Sequence, residues 1–108
     1  MVRQINVGEL NQKLTAGEPV YFVDVRQPWE HETAAFLDSR LIPLNELIAR
    51  LDEVQPPAGA LVVVYCHHGI RSLSGAALLE SAGVHNVVSL AGGIEAWSVQ
   101  VDPKVPRY

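Results

Sequence analysis

The run Leu61–Tyr65 (LVVVY) constrains the fold of this chain more than any other segment. It is apolar throughout and rich in β-branched residues, with no polar position in alternation. That pattern fits a strand covered on both faces, as in a parallel sheet, and not an edge strand with one wet side. Val20–Val25 (VYFVDV) and Val87–Leu90 read the same way. Between the second and third of these strands, the loop CHHGIR (66–71) leads into a helix from about Ser72 to Ala82, closed by Gly83. Its small residues Gly75, Ala76 and Ala77 allow it to lie close against a sheet. Strands alternating with helices imply parallel pairing through right-handed crossovers. The expected class is α/β, a parallel β-sheet flanked by helices on both faces.

The remaining elements follow from local signals. Asn6 and Glu9 have capping-box spacing and start a helix, Val7 to Leu14, that ends at Gly17. Pro28 suits the first turn of a helix carrying Trp29 and Glu30. Leu41 and Ile42 form a short strand, and Leu44, Leu47, Ile48 and Leu51 have the spacing of an amphipathic helix. Gly92-Gly93 is a tight turn before a last helix, Ile94 to Val99. At 108 residues the chain is read as one domain, 1–108, with a core over about 5–97 and a C-terminal tail over 98–108.

Composition excludes several functions. With 12 acidic against 8 basic residues the formal charge is −4, the wrong sign for displacing counterions from nucleic acid. One cysteine allows neither an internal disulfide nor a Cys-rich metal site. The longest apolar run, Ala60 to Cys66, is far short of the roughly 20 residues that span a bilayer. Glu9 interrupts the N-terminal segment early, so no membrane association and a cytoplasmic location are expected.

In a parallel sheet the ligand site lies beyond the carboxyl ends of the strands, where Asp24, Cys66 and Gly92 all fall. A loop wound between a strand end and a helix start turns backbone N–H groups into its concavity. Cys66 at the edge of that bowl has its thiolate stabilised and is a candidate nucleophile. Gly69 permits the bend, and Arg71 either clasps a bound oxyanion or braces the loop. A lone cysteine after an apolar strand is most often a small buried hydrophobe. The glycine, the arginine and the helix start at this spacing favour the chemical role over that plain one.

CHHGIRS (66–72), with DVRQPWE (24–30) and LAGGIEAW (90–97), resembles the single-domain rhodaneses, the thiosulfate sulfurtransferase family. The likeness runs from about Ile5 to Trp97, and DPKVPRY (102–108) resembles the end of rhodanese domains fused to enzymes that activate sulfur-carrier proteins. The resemblance implies a rhodanese-like domain in which Cys66 attacks a sulfane sulfur, becomes a persulfide and passes the sulfur on. The implied donors are small sulfur-containing anions such as thiosulfate. The acceptors are cyanide in vitro, a thiol or a sulfur-carrier protein, and no cofactor is implied. Amides from His67 through His68, Gly69, Ile70 and Arg71 to Ser72 would hold the persulfide anion, and Arg71 would fix the loop or meet a sulfonate.

Around this loop, Arg26 and Glu30, four apart, are expected to form a structural ion pair, and Asp24 either to orient a neighbouring loop or, the favoured reading, to be a satisfied helix cap or acceptor. Either one imidazolium of His67 or His68 favours the thiolate, or both rings face solvent at the rim. Adjacent side chains rarely point the same way, so the two are not expected to bind a metal. Trp29 and Trp97 are expected in the core or the pocket wall, and Gly92 and Gly93 near the site. Where the family has Gly-His-Ile-Pro-Gly, this chain has Ala34, Ala35, Phe36, Leu37 and Asp38, which alters packing there but spares the loop. Cysteine phosphatases and arsenate reductases also pair a Cys with an Arg. They place five residues between them, against four between Cys66 and Arg71, and tyrosine phosphatases have a His where Tyr65 stands.

Overall fold

The computed structural model describes residues 2–108. Five strands, β1 (Arg3–Ile5), β2 (Val20–Asp24), β3 (Arg40–Leu41), β4 (Leu61–Tyr65) and β5 (Val87–Leu90), form one sheet in the order β1-β5-β4-β2-β3. Every pairing is parallel. Four helices connect or follow the strands: α1 (Val7–Thr15), α2 (Pro28–Thr33), α3 (Arg71–Ser81) and α4 (Gly93–Gln100). No helix among the described residues is long and apolar enough to cross a membrane.

The unbroken apolar run of β4 follows from its central place. Val63 and Tyr65 face a core with α1 and α4, together with Leu10, Phe22, Leu90 and Trp97. Val62 and Val64 face the opposite core, with Ala76 and Leu79 of α3 and with Leu47. The period-two alternation carries on past the strand and puts Cys66 on the α3 side. Gly75 lets α3 approach there, since a Cβ would stand 3.1 Å from methyls of Val25 and Val64. Ala76 shares that contact, whereas Ala77 faces solvent.

The Asn6–Glu9 capping box is formed in full, with Glu9 N donating to Asn6 Oδ1 at 2.8 Å and Asn6 N to Glu9 Oε1 at 3.2 Å. The amphipathic helix expected over 44–51 is absent. Two 3₁₀ turns, Leu44–Glu46 and Leu51–Glu53, stand in its place. Arg50, at φ −118° and ψ 24°, leaves the helical region and breaks the run. Leu47 is fully buried but Ile48 is 68% exposed, so the apolar stripe covers too little core to support a continuous helix. β1 gave no periodic signal because it is a three-residue edge strand.

Candidate active site

Cys66 follows β4 directly, is 1% exposed, and turns its sulfur into the concavity of its own loop. Gly69 N donates to Cys66 Sγ at 3.1 Å and Ser72 N at 3.4 Å. Ser72 Oγ lies 3.6 Å from the same sulfur and 2.7 Å from Ser89 Oγ on β5. The loop is also held from behind. Ile94 N donates to Cys66 O at 3.0 Å and Glu95 N to His67 O at 3.1 Å, so the first turn of α4 caps both carbonyls. Gly93 makes this approach possible: at φ +62°, a Cβ here would overlap the Cys66 and His67 backbone. Gly92 adopts φ +78° as the cap of α4.

The charged side chains pair differently from the sequence expectation. Arg26 and Glu30 form no direct ion pair. Arg26 binds Asp24 in bidentate fashion (Nε–Oδ1 2.8 Å, Nη2–Oδ2 2.7 Å), and both side chains are fully buried. Arg26 also donates to Ala34 O at 2.6 Å, and Asp24 further meets His31 Nδ1 at 2.8 Å. Glu30 instead takes both terminal nitrogens of Arg71, at 2.7 and 2.9 Å, and closes its helix start by accepting from Gln27 N at 3.1 Å. The reason is topological. β2 and β4 lie side by side, so α2 and the Cys66 loop leave the same sheet edge and face one another. Burial opposes the Glu30 charge. The hydrogen bonds from Arg71, Gln27 N and Tyr108 outweigh it and hold the carboxyl down at about 2. Arg71 in turn is held more basic than usual, first by its hydrogen bonds to Glu30.

Tyr108 joins the two ion pairs, although it was not among the expected site residues. Its hydroxyl accepts from Arg26 Nη1 at 2.7 Å and donates to Glu30 Oε2 at 2.8 Å. Burial, first, pushes this phenol up to about 12, with Arg26 opposing and Glu30 assisting. The Tyr108 ring stacks on His67 at 3.9 Å, and His67 stacks on His68 at 4.0 Å. The two histidines therefore lie side by side, with His67 half-buried and His68 exposed, so of the two alternatives the one with both rings facing solvent does not hold for His67. Burial and the neighbouring His68 shift His67 towards its neutral form, against the pull of Glu95. Its Nε2 is buried without a hydrogen-bond partner, 3.8 Å from Glu95 Oε1. Trp97 is buried in the core, whereas Trp29 is 59% exposed and packs edge-on against Tyr108 at 5.5 Å. Among the described residues no group of three or more His, Cys, Asp or Glu side chains is placed to hold a metal.

The sequence signal for Tyr108 was the DPKVPRY ending, in which Val105 packs on the core and the tyrosine returns to the loop. The atypical 34–38 segment has a packing role of its own. Phe36 stacks on Phe22 at 4.4 Å, and Phe36 N donates to Tyr65 Oη at 3.2 Å. The sulfur thus accepts from two inward amides, a donor pair suited to negative charge on sulfur, and its thiol faces the Ser72 hydroxyl.

The family described as "Rhodanese-like domain" matches residues 6–100. A sulfurtransferase from Allochromatium vinosum is 36% identical over 98 residues, covering 91% of this chain and 90% of its own length. The probable adenylyltransferase/sulfurtransferase MoeZ of Mycobacterium tuberculosis is 32% identical over 100 residues. That match spans 93% of this chain but only 26% of MoeZ. Among solved structures, a rhodanese-related protein from Thermoplasma volcanium superposes with a TM-score of 0.81 at 29% identity, covering 98% of this chain and 99% of its own.

Proposed function

The chain belongs to the rhodanese-like family, and from that premise we propose that it moves a sulfane sulfur from a donor such as thiosulfate to a thiophilic acceptor through a persulfide on Cys66. The observation that carries this reading is the convergence of Gly69 N and Ser72 N on Cys66 Sγ. The Cys66 thiolate attacks the outer sulfur of thiosulfate. A bond forms between the two sulfurs, the bond to the sulfonate sulfur breaks, and its electron pair leaves with sulfite. Cyanide then attacks the outer sulfur of the persulfide, and the electron pair of the S–S bond returns to Cys66 as thiocyanate departs. The loop amides stabilise the anion at both stages, and the α4 cap at Gly92 and Gly93 keeps the loop in shape.

Arg71 braces the loop in this scheme, because both its terminal nitrogens are committed to Glu30. The same commitment, with four residues between Cys66 and Arg71, argues against phosphatase or arsenate-reductase chemistry, which needs a guanidinium free to clasp a tetrahedral oxyanion. A second reading, relay of the sulfur to a thiol or sulfur-carrier protein, is favoured by the apolar side chains beside the loop. Ile70 is 73% exposed and Trp29 stands clear on α2. Incubation with thiosulfate followed by intact-protein mass spectrometry tests the mechanism. The wild type gains one sulfur atom at Cys66, while Cys66→Ser gains none and loses thiosulfate:cyanide transfer with its fold intact. Transfer persisting in Cys66→Ser would rule out the covalent route.

A further inference from the structure

Two fully buried hydroxyls, Ser72 and Ser89, lie behind the reactive sulfur, and the scheme above uses neither. Ser89 is the one polar residue in β5 (VVSL), a strand buried along its whole length. β5 pairs with β4 through Val64↔Ser89, which brings Ser89 beside the strand that ends at Cys66. Its Oγ meets Ser72 Oγ at 2.7 Å and has no other hydrogen-bond partner among the described residues. Ser72, the second residue of α3, stands 3.6 Å from Cys66 Sγ. The three groups form a single file, sulfur to Ser72 to Ser89, sealed from water.

We propose that Ser89 is a positioning residue that aims the Ser72 hydroxyl at the Cys66 sulfur. With the thiol protonated, its S–H points to Ser72 Oγ, Ser72 donates to Ser89, and the Ser89 proton has no acceptor. With the sulfur ionised, both hydroxyls turn. Ser89 donates to Ser72, Ser72 donates to the sulfur, and each proton in the file has an acceptor. The Ser89 bond also occupies and polarises the Ser72 oxygen, so the Ser72 proton is held towards the sulfur instead of rotating freely. The file thus adds a third donor to the two amides. The inference rests on Cys66 being the reacting group, as proposed above.

The test is a double-mutant cycle on Ser72→Ala and Ser89→Ala in the full chain. It is read by the rate of Cys66 alkylation with iodoacetamide at pH 7 and by the rate of sulfur uptake from thiosulfate. Ser89→Ala slows both by roughly three- to tenfold, the worth of one well-placed hydrogen bond. Ser72→Ala slows both further, and the double variant matches Ser72→Ala, because Ser89 acts only through Ser72. A purely structural part for Ser89 would make the two losses multiply, and multiplication, or wild-type rates in Ser89→Ala, overturns the proposal. If the wild type takes up no sulfur from thiosulfate, the proposed reaction fails on its own, and the alkylation cycle still decides the role of Ser89.

Discussion

Arg26 and Arg71 each grip a carboxylate with two nitrogens, at nearly the same distances, in very different surroundings. The Arg26–Asp24 pair has no exposed side-chain surface on either partner, whereas the Arg71 side chain is 38% exposed above a buried Glu30. A pair sealed in the interior cannot be relieved by water, so losing one partner leaves a bare charge in a low-dielectric site. A pair with one arm in solvent can open at modest cost. The first therefore fixes the end of β2, and the second ties the Cys66 loop to α2 without locking it. Tyr108 couples them, with its hydroxyl between an arginine of one and the carboxylate of the other.

This contrast can be broken at three places. Asp24→Ala strands the Arg26 charge and should cost about 3–5 kcal/mol in urea unfolding. A loss below about 1 kcal/mol would mean that the interior pair is not what anchors β2. Glu30→Gln should lower stability less than Asp24→Ala but slow sulfur loading of Cys66 about tenfold, since a mispositioned residue also costs rate. Its pH signature is specific. The Glu30 carboxyl sits near 2 in the fold against an ordinary 4.5, so its stabilisation is full above 4.5 and fades as the pH falls towards 2. The stability gap between wild type and Glu30→Gln should therefore narrow between pH 5 and pH 2, and a constant gap would contradict the assignment. The smallest effect is expected for Tyr108→Phe, which keeps the stack on His67 but removes the hydroxyl bridge. It should lower stability by about 1 kcal/mol in thermal unfolding, and no change would show that the two pairs stand independently.

The same two pairs show what the sequence could and could not reveal. The chain around Cys66 was legible because each signal is local. An apolar run makes β4, and four residues then bring Gly69 and Ser72 amides round to the sulfur, all within seven positions. The Asn6–Glu9 box was legible for the same reason. Arg26 and Glu30 misled because a four-residue spacing suggests a helical pair, whereas the partners are chosen by sheet order. Glu30 meets Arg71 forty-one positions away, and Arg26 meets Tyr108 eighty-two away. The 44–51 stripe misled because apolar spacing gives the face of a helix and not the area available to cover. Trp29 is not in the core because it stands on the outer face of the short helix α2, where bulk alone does not decide burial.

Under the proposed reaction, the charged side chains around the Cys66 loop also set how a donor reaches the sulfur. Arg26, Arg71 and Arg107 each hold a carboxylate, and burial biases His67 towards neutrality. Among the described residues the mouth of the loop therefore has no uncommitted guanidinium to project attraction into solution, and the chain carries a formal charge of −4. What remains are amide and hydroxyl dipoles, whose pull fades within a few ångströms. Under the proposed reaction, an anionic donor would arrive by unsteered diffusion and be recognised only on contact, so its local abundance, not long-range capture, would set how often Cys66 is loaded.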